Sequence, residues 1–489
     1  MDCILTFDIG TTSVKTCLFD FSLNRLCCVS EEYFLDVDEF VVELDAETYI
    51  DAIKKSIEKV KSFVPDAHIS AISSVTQGET LIPVSKEGKA LRKAIVWLDS
   101  RAEEEANYIS EQIPQKEFAD VTGLPELTGA CPVAKLLWIK NQEKTIYERC
   151  EKFLFLEDWV IFRLTGKFMS EKSLVSSSGY FDINQDEYWD KMLEVAGIAK
   201  EKLPEAAECG TLCATVSKQA SEEFGLPLDA AVFTGAMDQV ASAIGAGALS
   251  EEIITETTGT ALVVTSYSKE RKFYAERGIT EYRHAVKGSY LNLAFSNTAG
   301  IVLKWFKDTF CTDLLGGEVP VYQRLDQMAE TVKPLSDGLC LFPHFEGISY
   351  PTIDTNARGV YFGIGLGTTR AHFVRALLEG VSYMLRENVE AISGDAKEIR
   401  SLGGASASEV WCQIKADVLN KKMVTYEAES TSLGAAMLAA CGLGIYKDLS
   451  EGVKTVVAQK AYTPGDNSGV YEQGYQKYLA MYEIFKNLF

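Results

Sequence analysis

Apolar and polar residues alternate in short runs at the N-terminus. Asp2 to Phe7 and Val14 to Asp20 read as strands flanking the turn Gly10-Thr11, and Asp20-Phe21-Ser22-Leu23-Asn24-Arg25 turns the chain into a third strand. The period then changes. Between Ala46 and Val64, residues Tyr49, Ala52, Ile53, Ile57 and Val60 fall on one helical face. Ile69 to Thr76 returns to strand, so the order is β-β-β-α-β. Helices are predicted over Glu103 to Gln112 and Lys135 to Gln142, and a buried strand over Ala230 to Gly235 leads into a helix over Asp238 to Ala246. The second half repeats the theme. Ile253 to Tyr267 reads as a hairpin around Gly259-Thr260, Thr368 to Ile392 as a long amphipathic helix, and Ile399 to Leu402 as a strand entering Gly403-Gly404. Helices over Ser408 to Leu419, the Ala-rich Ser432 to Cys441, and Tyr475 to Leu488 complete the pattern.

A chain of 489 residues exceeds one core and is expected to split. The repeated hairpin places the division near Leu249-Ser250-Glu251, giving domains 1–249 and 250–489. The net charge of −22, from 48 basic and 70 acidic side chains, argues against nucleic acid and anionic membrane as partners. No apolar run approaches the roughly 20 residues of a membrane span. No basic region precedes the first strand, so no signal peptide is indicated. The 12 cysteines show no CxxC pair and read as reduced, mostly buried thiols, which with the rest suits the cytoplasm. The four histidines are scattered, which disfavours a histidine-built metal site.

The chemistry gathers at the two glycine-threonine turns. Glycine lets the backbone approach a bound group, and Thr11, Thr12, Ser13 and Thr260 offer hydroxyls to phosphate oxygens. Asp8 ends the first strand and could hold Mg²⁺ through water, or could bond its own turn. Asp238 joins a strand to a helix and reads either as an N-cap or as a general base. Gln77, Gly78, Glu79, Trp97 and Asp99 follow strand ends, where open α/β folds place ligands. Asp99 and Arg101 could equally form a structural ion pair. Ser406 and Glu409 have the spacing of a capping box.

In their order along the chain, six segments resemble the FGGY carbohydrate kinase family: Asp8-Ile9-Gly10-Thr11-Thr12-Ser13, Trp97-Leu98-Asp99-Ser100-Arg101, Lys135-Leu136-Leu137-Trp138, Gly235-Ala236-Met237-Asp238-Gln239, Gly259-Thr260 and Gly403-Gly404-Ala405-Ser406. The resemblance implies an α/β fold of two actin-like, ribonuclease-H-like domains with a nucleotide cleft between them. It implies ATP and Mg²⁺ as cofactors, with Gly10, Thr11, Thr12, Ser13, Gly259 and Thr260 at the phosphates. Gly300, Lys304, Gly403, Gly404, Ala405 and Ser408 would face the adenosine. Asp238 would be the base and, with Asp8, a metal residue; Gln77, Gly78, Glu79, Trp97, Asp99 and Gln239 would meet the sugar. The expected substrate is a ketopentose such as xylulose, with glycerol or a four-carbon polyol as alternative, and a homodimer is common in the family. A non-catalytic nucleotide clamp and a phosphatase are rivals on the same fold. Two features depart from the family. Gly78 stands where glycerol kinases and many xylulokinases carry a larger residue. Phe345-Glu346-Gly347-Ile348-Ser349-Tyr350-Pro351 lacks the usual Glu-Arg pair.

Overall fold

The computed structural model describes residues 1–272, 278–349, 353–426 and 429–489. Strands β1 (Asp2–Ile9), β2 (Ser13–Asp20) and β3 (Arg25–Glu32) form an antiparallel meander. β4 (His68–Thr76) joins parallel to β1, and β5 (Ala231–Met237) parallel to β4. The sheet order is therefore β3-β2-β1-β4-β5, with Leu212–Thr215 at the outer edge. The central strands are buried on both faces, and on β4 the hydroxyls of Ser73, Ser74 and Thr76 are buried along with the apolar side chains. The second sheet repeats the plan. β6 (Ile253–Thr258), β7 (Leu262–Ser268) and β8 (Tyr290–Ser296) are antiparallel neighbours, and β9 (Glu398–Leu402) and β10 (Lys422–Thr425) add in parallel. Its order, β8-β7-β6-β9-β10, matches the first, with Thr280–Arg283 and Lys460–Tyr462 at its edges. The protein is thus α/β with two ribonuclease-H-like lobes.

Helix α1 (Ala46–Phe63) begins at Asp45, whose carboxylate accepts the Glu47 N–H at 3.0 Å, and its apolar face covers β2 and β3. Lobe one also carries α2 (Pro132–Gln142) and α3 (Asp238–Gly245). Lobe two carries α4 (Gly300–Phe310), α5 (Arg370–Ser393) and α6 (Glu409–Leu419). The terminal helix α8 is Ser468–Phe485, starting earlier than predicted. Gly469 and Gly474 interrupt the apolar pattern there, yet Tyr471, Tyr475 and Tyr478 bury one continuous stripe.

Helix α7 (Ser430–Gly442) belongs to the second half in sequence but packs on β1, β4 and β5 of the first sheet and crosses α3. Ala435 to Ala440 join Phe233, Ala236, Val240, Ala241 and Ile244 in one apolar cluster. The two helices touch at glycines. A Cβ on Gly245 would lie 1.7 Å from the Ser430 carbonyl oxygen, and one on Gly434 would lie 2.0 Å from that of Ala241.

One expectation about cysteine fails. Cys17 and Cys28 stand directly opposite on β2 and β3 and are joined as a disulfide, while the other ten are free. They belong to the same register pair of a close antiparallel ladder, which spacing along the chain does not reveal. Among the described residues, no helix is long and apolar enough to cross a membrane.

Candidate active site

Both glycine-threonine turns are held from below. In the β1–β2 turn the Gly10 N–H donates to the Ser13 carbonyl at 2.9 Å, the Tyr33 hydroxyl bonds the Gly10 carbonyl, and Trp97 Nε1 donates to Thr11 Oγ1 at 3.2 Å. In the β6–β7 turn the Gly259 N–H donates to the Ala261 carbonyl at 3.0 Å, and the Gly300 N–H returns to Gly259 at 2.7 Å. The second turn is thereby tied to the first residue of α4, and the Ile301 N–H adds a bond to the Thr260 carbonyl at 3.3 Å. Beneath it lies an ion pair between Lys415 and Glu256, both fully buried, 2.7 Å apart.

A cleft of about 890 Å³ adjoins this turn. Thr258, Gly259, Thr260, Gly300, Lys304, Gly404, Ala405 and Ser408 line it, which brings together most of the residues assigned to the nucleotide. Its far wall is the helix Val321–Glu330, which contributes Tyr322, Gln323, Asp326 and Gln327. Sequence reasoning missed this wall; its only local signal is a row of polar residues on one helix face. Asp326 Oδ1 accepts from Ser408 Oγ at 2.8 Å, linking the wall to the glycine loop. A second space of about 940 Å³ reaches Asp8, Lys15 and Glu429 from the other side of that loop. Gly404, Ala407 and Glu409 line both spaces.

Asp8, Glu79 and Asp238 lie at or just beyond the C-terminal ends of β1, β4 and β5, three adjacent parallel strands. Burial, then the charge of Asp8, then that of Glu79 push the Asp238 carboxyl up to about 7, against bonds from Gln239 that hold it down. Burial pushes Asp8 up to about 6, with Lys15 pulling it down and Glu429 pushing it up. Two half-buried carboxylates under mutual repulsion fit a divalent cation, which needs few protein oxygens because it keeps its water. Glu79 is raised chiefly by burial and lowered by the Ser177 hydroxyl and by Lys135. Lys135 is fully buried and donates to the carbonyls of Val96 and Trp97 at 3.0 and 3.2 Å. Burial pushes its ammonium down to about 8. The Tyr282 hydroxyl, from the second half of the chain, is raised by burial, then by Glu79 and Asp238. No sequence signal joins Tyr282 to those two carboxylates, because their meeting is a product of the lobes' assembly.

Several assigned residues do other work. The Asp99 carboxylate is fully buried and accepts from the Arg101 guanidinium at 2.6–3.0 Å and from the Val42 N–H at 2.7 Å, so the ion-pair reading replaces the sugar-binding one. Asp238 is the first residue of α3 and the N-cap is Met237, so the carboxylate sits inside the first turn, where it meets the Gln239 backbone and side chain. The cap of α6 is Ser408, accepting from the Trp411 N–H at 3.2 Å. Ser406 instead donates to the Gly403 carbonyl at 2.7 Å, because the 3₁₀ turn Gly404–Ala407 pushes the helix start onward. Lys304 lines the cleft but pairs with Asp308 at 2.7 Å. Gln77 is buried with Nε2 on the Tyr49 hydroxyl at 3.3 Å and Oε1 unpartnered. Gly78 turns the chain at φ +72°, a backbone role. Of the segment lacking the Glu-Arg pair, Tyr350 and Pro351 lie outside the described residues.

Residues 3–245 match the N-terminal domain of the FGGY family of carbohydrate kinases, and residues 253–443 match its C-terminal domain. The chain is 27% identical to the xylulose kinase of Bacillus subtilis, covering 100% of this chain and 97% of that one. It is 30% identical to the glycerol kinase of Thermococcus onnurineus, covering 94% and 93%. The crystal structure of gluconate kinase from Lactobacillus acidophilus superimposes with a TM-score of 0.90 at 26% identity, over 99% of this chain and 98% of that one. The chain belongs to the FGGY family of carbohydrate kinases, which transfer phosphate from ATP to a sugar.

Proposed function

We propose that this kinase phosphorylates a terminal hydroxyl of a small neutral sugar, a ketopentose such as xylulose, with Asp238 as general base and Mg²⁺ as metal. The observation that carries this reading is the group of carboxylates at adjacent strand ends, Asp8, Glu79 and Asp238, with Asp238 poised near 7. A base works best when its pKa lies near the working pH. Asp238 accepts the hydroxyl proton as the sugar oxygen bonds to the γ-phosphorus; the proton ends on Asp238 and ADP leaves. Mg²⁺, when bound at Asp8 and Asp238, would offset charge on the phosphate oxygens. The backbone N–H groups of both turns and Thr260 supply the remaining donors. Adenosine is assigned to the cleft between Gly404 and the helix Val321–Glu330.

Charge supports a neutral substrate. Glu79 and Asp238 lie at the strand ends assigned to the sugar, and the cation beside Glu79, Lys135, is committed to two backbone carbonyls. An aldonate would bring a further negative charge beside them. The relatives named above act, by their names, on xylulose, glycerol and gluconate, so the charge argument discriminates where similarity does not. The test is ADP release with xylulose, glycerol and gluconate in turn. Xylulose is expected to stimulate it most and gluconate least. Glycerol stimulating more than xylulose would favour the polyol alternative, and sugar-independent turnover would favour a nucleotide clamp or a phosphatase.

A pH dependence follows. With Asp238 protonated below about 7, kcat/KM is expected to fall as pH drops through that value in the free enzyme. A profile flat from pH 8 to about 5 would remove Asp238 as the base.

A further inference from the structure

Three more carboxylates, Glu157, Asp158 and Glu171, are 0% exposed inside lobe one. Buried acids are costly unless something uses them. Asp158 is accounted for: its Oδ2 accepts the Phe155 N–H at 2.8 Å at the start of its own helix, Leu156–Thr165. Glu157 and Glu171 act on β5 instead. The pairing of β5 with β4 slips between Phe233 and Ala236, so the strand bulges at Thr234-Gly235. The bulge presses the backbone onto β4: a Cβ on Gly235 would lie 1.8 Å from the Ser74 carbonyl oxygen. A bulge leaves a backbone group outside the ladder. Here the Gly235 N–H is caught by Glu157 Oε1 at 2.8 Å. Two residues on, the Met237 N–H donates to Ser173 Oγ at 3.0 Å, and the Ser173 hydroxyl donates to Glu171 Oε1 at 2.9 Å. Glu171 is fixed in turn by the Ser173 and Leu174 N–H groups at 2.6 and 2.7 Å and by the Cys209 thiol at 2.9 Å. Met237 immediately precedes Asp238. The backbone that launches the base therefore hangs on two buried acids.

We propose that Glu157 and Glu171 are positioning residues for phosphoryl transfer: they hold the β5 bulge, Glu157 directly and Glu171 through Ser173, and thereby aim the Asp238 carboxylate. This rests on the reading of Asp238 as the base. Being fully buried, neither acid can meet a substrate. Burial and the neighbouring Glu171 push the Glu157 carboxyl well above its ordinary range, and its part here is that of an acceptor oxygen. Gln can replace such a group, and Leu cannot.

The test uses the full-length enzyme. Glu157→Leu is expected to lower kcat by about 100-fold, the scale of an ångström-level misplacement, with KM for ATP and sugar nearly unchanged. Ser173→Ala, which keeps both acids, should lower kcat by about 10-fold. Glu157→Gln, which keeps the acceptor oxygen, should recover turnover to within about threefold of the parent. On an Asp238→Asn background, neither Glu157→Leu nor Ser173→Ala should reduce the residual rate further, because residues acting through one group are not additive. If Glu157→Leu does not fold, Ser173→Ala decides. A folded Ser173→Ala with parental kcat, or losses that add fully to that of Asp238→Asn, would overturn the proposal. Failure of the base assignment reads differently: Asp238→Asn alone would then keep its turnover.

Discussion

Asp238→Asn is expected to lower sugar-dependent ADP formation by about 10²–10⁴-fold. The amide keeps the shape of the side chain and loses the proton acceptor. The same change should make the ligand-free protein more stable at pH 8. The sign follows from linkage. The folded-state pKa of about 7 lies above the ordinary 3.8, so the folded protein holds this proton more tightly than the unfolded chain does. Stability tied to Asp238 is full below the ordinary value and is lost as pH rises through about 7. At pH 8 the parent therefore carries an ionised, desolvated carboxylate that the Asn variant lacks. Thermal melts at pH 8 and at about pH 4 check this: the variant's advantage should shrink toward the lower pH. Parental turnover would refute the catalytic role, and equal melting at pH 8 would refute the strain on the carboxylate.

Lys415→Met should destabilise the protein by about 3–5 kcal/mol, the cost of leaving a buried charge without its partner. Lys415 and Glu256 are both 0% exposed, and the Lys415 ammonium also donates to Thr258 Oγ1 at 2.8 Å. The Thr258 hydroxyl donates to Glu256 Oε2 at 2.6 Å, and Ser401 bonds the other oxygen. Thr258 precedes Gly259, so the second glycine-threonine turn stands on this network, and if that turn holds phosphate as proposed, the KM for ATP should rise in the variant. Pairing the change with Glu256→Gln should recover most of the stability, since neither charge is then stranded. Denaturant titration of both variants decides the matter. A single Lys415→Met with the parental midpoint would show that Glu256 finds another partner.

Both hairpins were legible because Gly10 and Gly259 each interrupt a strand-forming run, a signal confined to a few residues. The place of Asp238 between a buried strand and a helix was legible, but that place alone reads as a helix cap, and only the family resemblance suggests a base. The sequence order of the six segments pointed to the family, and the matches over residues 3–245 and 253–443 bear that out. What stayed hidden depends on contacts between distant segments. Asp99 offers the same carboxylate whether it faces a sugar or Arg101, and only burial decides between them. Ser406 and Ser408 both stand near a helix start, and an intervening 3₁₀ turn selects the second. Glu157 and Ser173 lie 78 and 64 residues from the backbone they hold, so no local pattern marks them. The Ala-rich composition of α7 predicts close packing but not on which sheet.

That last placement limits how the molecule can be divided. A fragment ending at residue 249 would lack α7 and leave Phe233, Ala236 and Val240 open to water, so neither piece should stay dispersed until it meets the other. The crossing of α3 and α7 at Gly245 and Gly434 leaves no room for a side chain at either position, so the seam that would be exposed is a closely fitted one.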